Sequence, residues 1–547
     1  MKRIYTLFFV VFASLMLKAQ TIDTLQGDIT ADRAIVNTKI WILKGNVYIK
    51  NGATLTIPAG TIIKGLSKSA LVVTRGAKLI AEGTVQQPII FTSAQVAGQR
   101  NIGDWGGIVL LGKATTNTQY NSIQGVGQIE GGIDNAAGDG LYGGTDDADN
   151  SGSLKYVRIE YGGFPFEPNK EVNSLTMGGV GSGTKIEYIQ TSFGGDDDYE
   201  WFGGTVNAKY LVAYAGTDDN FDTDLGYRGN VQFAVALRDT AVADAAGASN
   251  GFESDNDAAG SMRTPFTANT FSNMTVLGPL ATPTTVFNSK FGKGALIRLN
   301  SRTSIFNSII AGWPVAGLDI DGKLTAAAAV LGDLKFKNNI LAENKVRFVE
   351  FDSIVSTTTV RAWFAANAND SLLTYTDIKM KAPFNYKFPL FDLNAGSSAA
   401  TGASFTDARV SGSFFTPVTY RGAFGTTNWM AGWTNFNPQA ESYNTAPYNS
   451  RVAVKELTDN QLKAVVAPNP VQNNTTANIF FSVEKPTTLE LSVVDLMGRT
   501  VIKGQKQFFT EGSHAAEINV QNIATGLYFV HLVTADGQKA LPLTVVK

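Results

Sequence analysis

The middle of the chain repeats one short pattern of alternating apolar and polar positions. Residues 154–163, LKYVRIEYGG, are echoed by residues 186–195, IEYIQTSFGG, then by 208–216 and 231–237. The aligned aromatics Tyr156, Tyr188, Tyr210 and Phe233 are 32, 22 and 23 residues apart, and Phe271, Phe306 and Phe336 follow at intervals of 35 and 30. Short β-branched and aromatic segments separated by Gly pairs are strands, not helices. A period near 22, lengthened by loop insertions, predicts the coils of a solenoid. The spaced Leu and Asn of leucine-rich repeats are missing, so a parallel β-helix with three short strands per coil is the better fit. The handedness rule for parallel crossovers makes it right-handed.

Stacking predicts a register. Lys155, Glu187, Lys209 and Gln232 occupy one column, alternating in sign on rungs about 4.8 Å apart. One position on, the aromatics form a stacked column beneath the surface, which a one-residue slip would turn outward. Upstream, Val47–Ile49, Ala53–Ile57, Thr61–Ile63, Leu71–Val73 and Lys78–Ile80 read as the first coils, parted by Gly turns. Open solenoid ends invite edge-to-edge association, so residues 24–45 are expected to cap one end and residues 412–436, with Trp429 and Trp433, the other.

The last 84 residues read differently. Pro468-Asn469-Pro470 precedes short alternating strands with turns at Met497-Gly498, Glu511-Gly512 and Asp536-Gly537, which predicts a small antiparallel, Ig-like β-sandwich. Three ordered motifs carry a resemblance: Val466-Ala467-Pro468-Asn469-Pro470, Asp495-Leu496-Met497-Gly498-Arg499, and Gly526-Leu527-Tyr528 before a terminal Lys547. Residues 464–547 resemble the type A C-terminal sorting domain of the type IX secretion system of Bacteroidota. The resemblance implies passage across the outer membrane by that machinery, removal of the domain, and cargo that is released or linked to surface lipopolysaccharide. The central region resembles a group of secreted Bacteroidota β-helix proteins at residues 104–112, 199–204, 251–257 and 420–425; this implies a fold and no chemistry.

At the other end, Lys2 and Arg3 precede an apolar run from Ile4 to Leu17, too short for a comfortable membrane span. Residues 1–19 are read as a signal peptide cleaved after Ala19. No other stretch approaches about 20 apolar residues, so no transmembrane segment is expected in the mature protein. The expected organisation is signal peptide 1–19, β-helix 20–463 and sorting domain 464–547, secreted or held at the outer surface.

Composition narrows the chemistry. Among 547 residues there is no Cys and only two His, which excludes disulfides, thiolate metal centres and thiol nucleophiles. Both His514 and His531 fall in the sorting domain, so residues 20–463 contain no histidine for triads or metal centres. The net charge of −2 hides an uneven distribution: residues 194–260 carry thirteen acidic and three basic side chains. Such a field repels phosphates, so nucleic acid is not an expected partner.

The acidic groups recur at about the coil period and should converge on one side. Carboxylates with few cations repel one another, and hard oxygen donors suit Ca²⁺. Asp196, Asp198, Asp218, Asp219, Asp222 and Asp224 are the expected ligands of a structural Ca²⁺, although no EF-hand or calcium-roll spacing is present. Solvated Asp-rich turns are the plainer alternative. For catalysis, the only nameable groups are Asp197, Asp198 and Asp222 with Lys209 or Arg228 as base. They would serve a Ca²⁺-dependent polysaccharide lyase or a carboxylate-based glycoside hydrolase. The favoured reading is a non-catalytic, adhesin-like or glycan-binding protein. Trp105, Tyr199, Trp201 and Phe202 could stack on sugar rings if exposed, or pack the core if not.

Overall fold

A computed structural model describes residues 20–547 apart from 168–169, 350–356, 372, 451–461, 473–475, 496–499, 505 and 535–536. The expected signal peptide, the Leu496–Arg499 motif and Asp536 lie outside the described residues. The chain divides into two compact units, Met1–Ser450 and Arg451–Lys547.

The first unit is a parallel β-helix. One 16-stranded sheet stacks eleven rungs in its main column, from Ile22–Gln26 through Gly152–Glu160, Lys185–Ser192, Asn207–Tyr214 and Asn230–Leu237 to Phe336–Lys337. A second, 9-stranded sheet runs from Asn46–Ile49 through Tyr199–Gly204, Phe221–Asp224 and Phe252–Ser254 to Asp319–Ile320. Pairing between successive coils is parallel throughout this path. Leu154, Val157, Ile159, Tyr199, Trp201 and Phe221 point into one continuous apolar core.

The predicted charge column is present: Lys155 lies opposite Glu187, Glu187 opposite Lys209, and Lys209 opposite Gln232. The aromatic column is present too, with ring centroids 4.4, 4.4 and 5.3 Å apart from Tyr156 to Phe233. It stands outside the wall, not beneath it. Tyr156, Tyr188, Tyr210 and Phe233 take φ of 48, 57, 61 and 61°, so each is a left-handed corner that turns one strand segment onto the next face. Left-handed backbone costs an L-residue about 1–2 kcal/mol; ring stacking returns about 0.5–1.5 kcal/mol per pair. Asn273, Asn307 and Asn338 continue the same corner at φ of 55, 53 and 60°, where asparagine is well tolerated.

Phe271, Phe306 and Phe336 are not one column. Phe271 and Phe336 both face Ile305, whereas Phe306 faces Ser272 and Lys337 and packs outside with Val410 and Phe415. Unequal loop insertions conceal that one-residue offset, and with a side-chain period of two it moves Phe306 to the other side of the wall.

Both expected caps are corrected. Residues 24–45 supply the first coils themselves, since Ile22–Gln26 pairs in parallel with Ile40–Lys44. The far end is occupied by the helix Lys323–Leu331, which buries Ala326, Ala328 and Ala329 in the core. Residues 404–450 form a strap that returns along the outer wall of the larger sheet. Trp429 and Trp433 roof the tyrosine column with edge-on contacts of 5.4 and 5.7 Å.

Side-chain amides on the wall hold the strap as a neighbouring strand would. Gln190 Nε2 donates to Asn435 O (2.7 Å) and its Oε1 accepts from Asn435 N (2.8 Å). Gln232 makes the same pair with Thr416 (2.9 and 2.8 Å), and Asn307 with Ser404 (3.1 and 2.8 Å). Farther along, Arg158 and Glu160 are sealed under the strap, with Arg158 Nε 3.3 Å from Glu160 Oε1 and Tyr443 donating to that oxygen at 2.8 Å. Replacing Gln232 with leucine strands the peptide N–H and C=O of Thr416, so a loss of about 1–3 kcal/mol is expected. Chemical denaturation of Gln232→Leu beside the parent checks this, and an unchanged midpoint would show that the clamp contributes nothing.

Among the described residues the second unit contains two sheets, antiparallel except where Val471–Gln472 pairs in parallel with Gly537–Val546. Lys463–Ala467, Thr476–Val483 and Gly512–Asn519 make one, and Thr487–Asp495, Gly526–Thr534 and Gly537–Val546 are central to the other. Ile479, Phe481, Val493, Val530 and Leu543 fill the space between them.

Candidate functional site

The acidic residues meet on the second sheet because aromatic–acid pairs repeat in register. Tyr199, Phe221 and Phe252 face one another on successive rungs and point inward, so Glu200, Asp222 and Glu253 face one another pointing outward. Two residues on, Asp224 lies opposite Phe202. The corner preceding this sheet stacks a second ladder. Asp197 N donates to Asn173 Oδ1 (3.2 Å), Asp219 N to Asp197 Oδ1 (2.7 Å), Asn250 N to Asp219 Oδ1, and Lys293 N to Asn250 Oδ1 (2.9 Å). Each acidic side chain therefore accepts the backbone N–H of the next coil.

The two ladders converge. Carboxylate oxygens of Asp196, Asp197 and Asp218 lie within 4.8 Å of one another, and so do those of Asp197, Glu200 and Asp222. Asp197 is shared. Asp197 and Glu200 are buried, Asn173 Nδ2 donates to Glu200, and Asp222 Oδ1 is buried with no hydrogen-bond partner. Burial, reinforced by neighbouring carboxylates, pushes Asp197, Glu200, Asp219 and Asp222 well above the usual carboxylate range. Asp224 is pushed up to about 8 by burial and by Asp255, Asp257 and Glu130, against the Leu225 N–H.

Arg298 ends the acidic stretch, pairing with Glu253 and, at 3.0 Å, with Asp255. Arg238 is fully buried and donates to the carbonyls of Gly216 (2.8 Å), Asp218 and Asn250.

The expected site residues separate. Asp196, Asp218 and Asp222 join the two triads. Asp198 turns away, is fully buried and accepts from Asn220 Nδ2 at 2.8 Å; burial raises it to about 6, against the pull of Arg238 and Asn220. Asp219 belongs to the backbone-capping ladder and Asp224 caps Leu225 N. Lys209 lies on the larger sheet, 4.7 Å over the Phe414 ring and 3.0 Å from Thr416 Oγ1. Arg228 pairs with Asp147 at 2.9 Å. Both base candidates are thus engaged elsewhere, Lys209 by Phe414 and Thr416 and Arg228 by Asp147. Glu200, absent from the expected ligands, is central. Its signal was the repeated aromatic–acid dipeptide at residues 199–200, 221–222 and 252–253.

The aromatics proposed for sugar stacking are structural. Trp105, Tyr199 and Trp201 are fully buried; Trp201 stacks on Tyr199 and Tyr227 at 6.0 and 5.4 Å. Phe202 is covered by Tyr142 at 6.1 Å.

The pectate-lyase-like β-helix domain family matches residues 27–434, well over half of the chain. The chain belongs to this family. A secretion system C-terminal sorting domain matches residues 465–545 of this pectate-lyase-like β-helix protein, which makes it a secreted protein that engages the type IX export machinery. Among solved structures it is similar to the Dettilon tailspike protein, at 7% identity and a TM-score of 0.25, over 88% of this chain and 86% of that one. No curated protein matches it. No helix among the described residues is long and apolar enough to cross a membrane.

What the acidic face can do follows from its donors. The triads offer only carboxylate oxygens, the ligand type of Ca²⁺, which takes six to eight oxygens at about 2.3–2.6 Å. Two triads with one shared carboxylate offer five carboxylates, and carbonyl or water oxygens would complete a shell. A hydrolytic pair would need one carboxyl held as acid and another as base around a sugar.

Proposed function

We propose that this protein is a non-catalytic interaction module, kept at the cell surface after export, whose acidic wall binds Ca²⁺ and through it an extracellular glycan. The observation that supports the reading is the pair of triads sharing Asp197, where crowded carboxylates, two of them buried, relieve their repulsion by holding protons or by binding a cation. Linkage to surface lipopolysaccharide after removal of the sorting domain, implied by that domain's resemblance, is the mode of attachment this reading adopts.

Ca²⁺ at a hundred times its Kd should stabilise the β-helix by about 2.7 kcal/mol. Thermal melts of protein passed through chelator, with and without Ca²⁺, read this directly, and the shift should vanish in Asp197→Asn and shrink in Asp222→Asn. A midpoint indifferent to Ca²⁺ would sink the cation site. Glycan-array binding that depends on Ca²⁺ and releases no product supports the module.

One observation favours the alternative of a Ca²⁺-dependent lyase or a glycoside hydrolase, the chemistry suggested by the family's name: Arg298 stands on the same wall as the carboxylates. Unsaturated or reducing-end products from the bound glycan would establish that alternative.

A further inference from the structure

The strap carries the end of the β-helix unit back to its beginning. Tyr443 packs with Ile40, Ile62 and Ile90 on three of the first four rungs. Ala446 N donates to Gln20 Oε1 (3.0 Å), Tyr448 N to Gly60 O (2.7 Å) and Ser450 N to Gln86 O (2.7 Å). Gln87 Nε2 donates to Asn449 Oδ1 at 2.9 Å. The chain thus leaves this unit at Ser450, beside the fourth of eleven rungs, on the wall that the strap covers.

The acidic ladder lies elsewhere. Glu200, Asp222 and Glu253 belong to the second sheet, in the coils of the sixth to eighth rungs. At about 4.8 Å per rung the acidic coils stand roughly 10–19 Å beyond the exit along the axis, and the last rung roughly 34 Å beyond it. Charges separated in water by more than a Debye length, about 8 Å at physiological ionic strength, are largely screened from each other.

From this geometry we infer a fixed polarity of display: in the surface-held protein the first coils and strap wall face the cell, and the last coils and acidic wall face outward. The inference rests on the surface-retention reading above, with attachment through the end of the chain that follows Ser450. It assigns the acidic wall to ligands arriving from the medium, because that wall belongs to the other sheet and its coils stand more than a Debye length beyond the exit. A binder of the cell's own surface glycan would need the reverse orientation.

The absence of Cys makes single-site labelling clean. Ala31 in the first coils and Lys323 on the last-coil helix are both accessible at least in part, so Ala31→Cys and Lys323→Cys can be introduced into the full chain, exported, and biotinylated with a maleimide. On intact cells, streptavidin should bind Lys323→Cys several-fold more than Ala31→Cys, and the two should bind equally after detergent extraction. Equal or reversed labelling of cell-held protein would overturn the polarity and leave retention standing. Protein found only in the medium would overturn retention, and the polarity with it. Matching thermal melts of the variants and parent exclude misfolding as the source of a difference.

Discussion

Arg158→Ala should lower the stability of the β-helix unit by about 3–5 kcal/mol, the cost of leaving a buried charge without its partner. Both Arg158 and Glu160 are essentially inaccessible, and the guanidinium is further held by Tyr443 Oη at 3.1 Å and by the Tyr448 ring at 4.8 Å. Burial already raises the carboxyl of Glu160 more than Arg158 lowers it. Without Arg158, Glu160 escapes only by taking up a proton, so the loss should shrink as the pH falls toward 5. Arg158→Met with Glu160→Leu removes both charges and should recover most of the stability, since a buried pair is often no better than an apolar one. Denaturant midpoints for the three proteins at two pH values measure all of this. A single variant as stable as the parent would mean that water reaches Glu160 beneath the strap.

The acidic wall should make stability fall as pH rises. Unfolded Asp and Glu titrate near 4, whereas Asp198 and Asp224 are raised to about 6 and about 8 in the fold, burial being the main cause. Groups with raised values keep their protons longer folded than unfolded. Their favourable contribution is complete below pH 4 and is lost progressively up to pH 8, each tenfold difference in proton affinity between fold and unfolded chain being worth about 1.4 kcal/mol. Asp407 works in the opposite sense: Lys335 and Lys337, with the Arg409 N–H, overcome its burial and hold it at about 2. Its contribution is present above pH 4 and disappears as the pH falls toward 2. In chelator, the melting temperature should therefore drop between pH 5 and 8, and saturating Ca²⁺ should flatten the drop. A midpoint constant across that range without Ca²⁺ would show that the carboxylates are solvated and uncoupled.

The repeat units, and one register, were readable from sequence because the insertions fall between strands. The segments from Lys155 to Gln232 keep their internal spacing, so counting residues aligned them. What counting could not reveal was which side of the wall each position takes. A left-handed corner at Tyr156 or Tyr188 resets the in–out alternation, and that is how an aromatic column expected inside came to lie outside. The same ambiguity made Trp201 a candidate sugar platform, although its neighbours Tyr199 and Tyr227 on the inward face bury it completely. Lys209 and Arg228 lie within twenty residues of Asp222, yet a coil spends its residues on different walls, so closeness in sequence gave no closeness in space. Glu200 was recoverable. Aligning the second sheet on Tyr199, Phe221 and Phe252, as the first was aligned on its tyrosines, places Glu200 beside Asp222.

The amide clamps have an evolutionary consequence. Gln190, Gln232 and Asn307 sit at the sixth, eighth and tenth rungs, a spacing of two rungs, about 10 Å. Solenoids ordinarily gain and lose repeats easily, because each coil touches only its neighbours. This one carries its own gauge: deleting or duplicating a coil would shift every later clamp by one rung against a strap of fixed length. Relatives that keep the strap should therefore share one coil number and vary in the loops between coils.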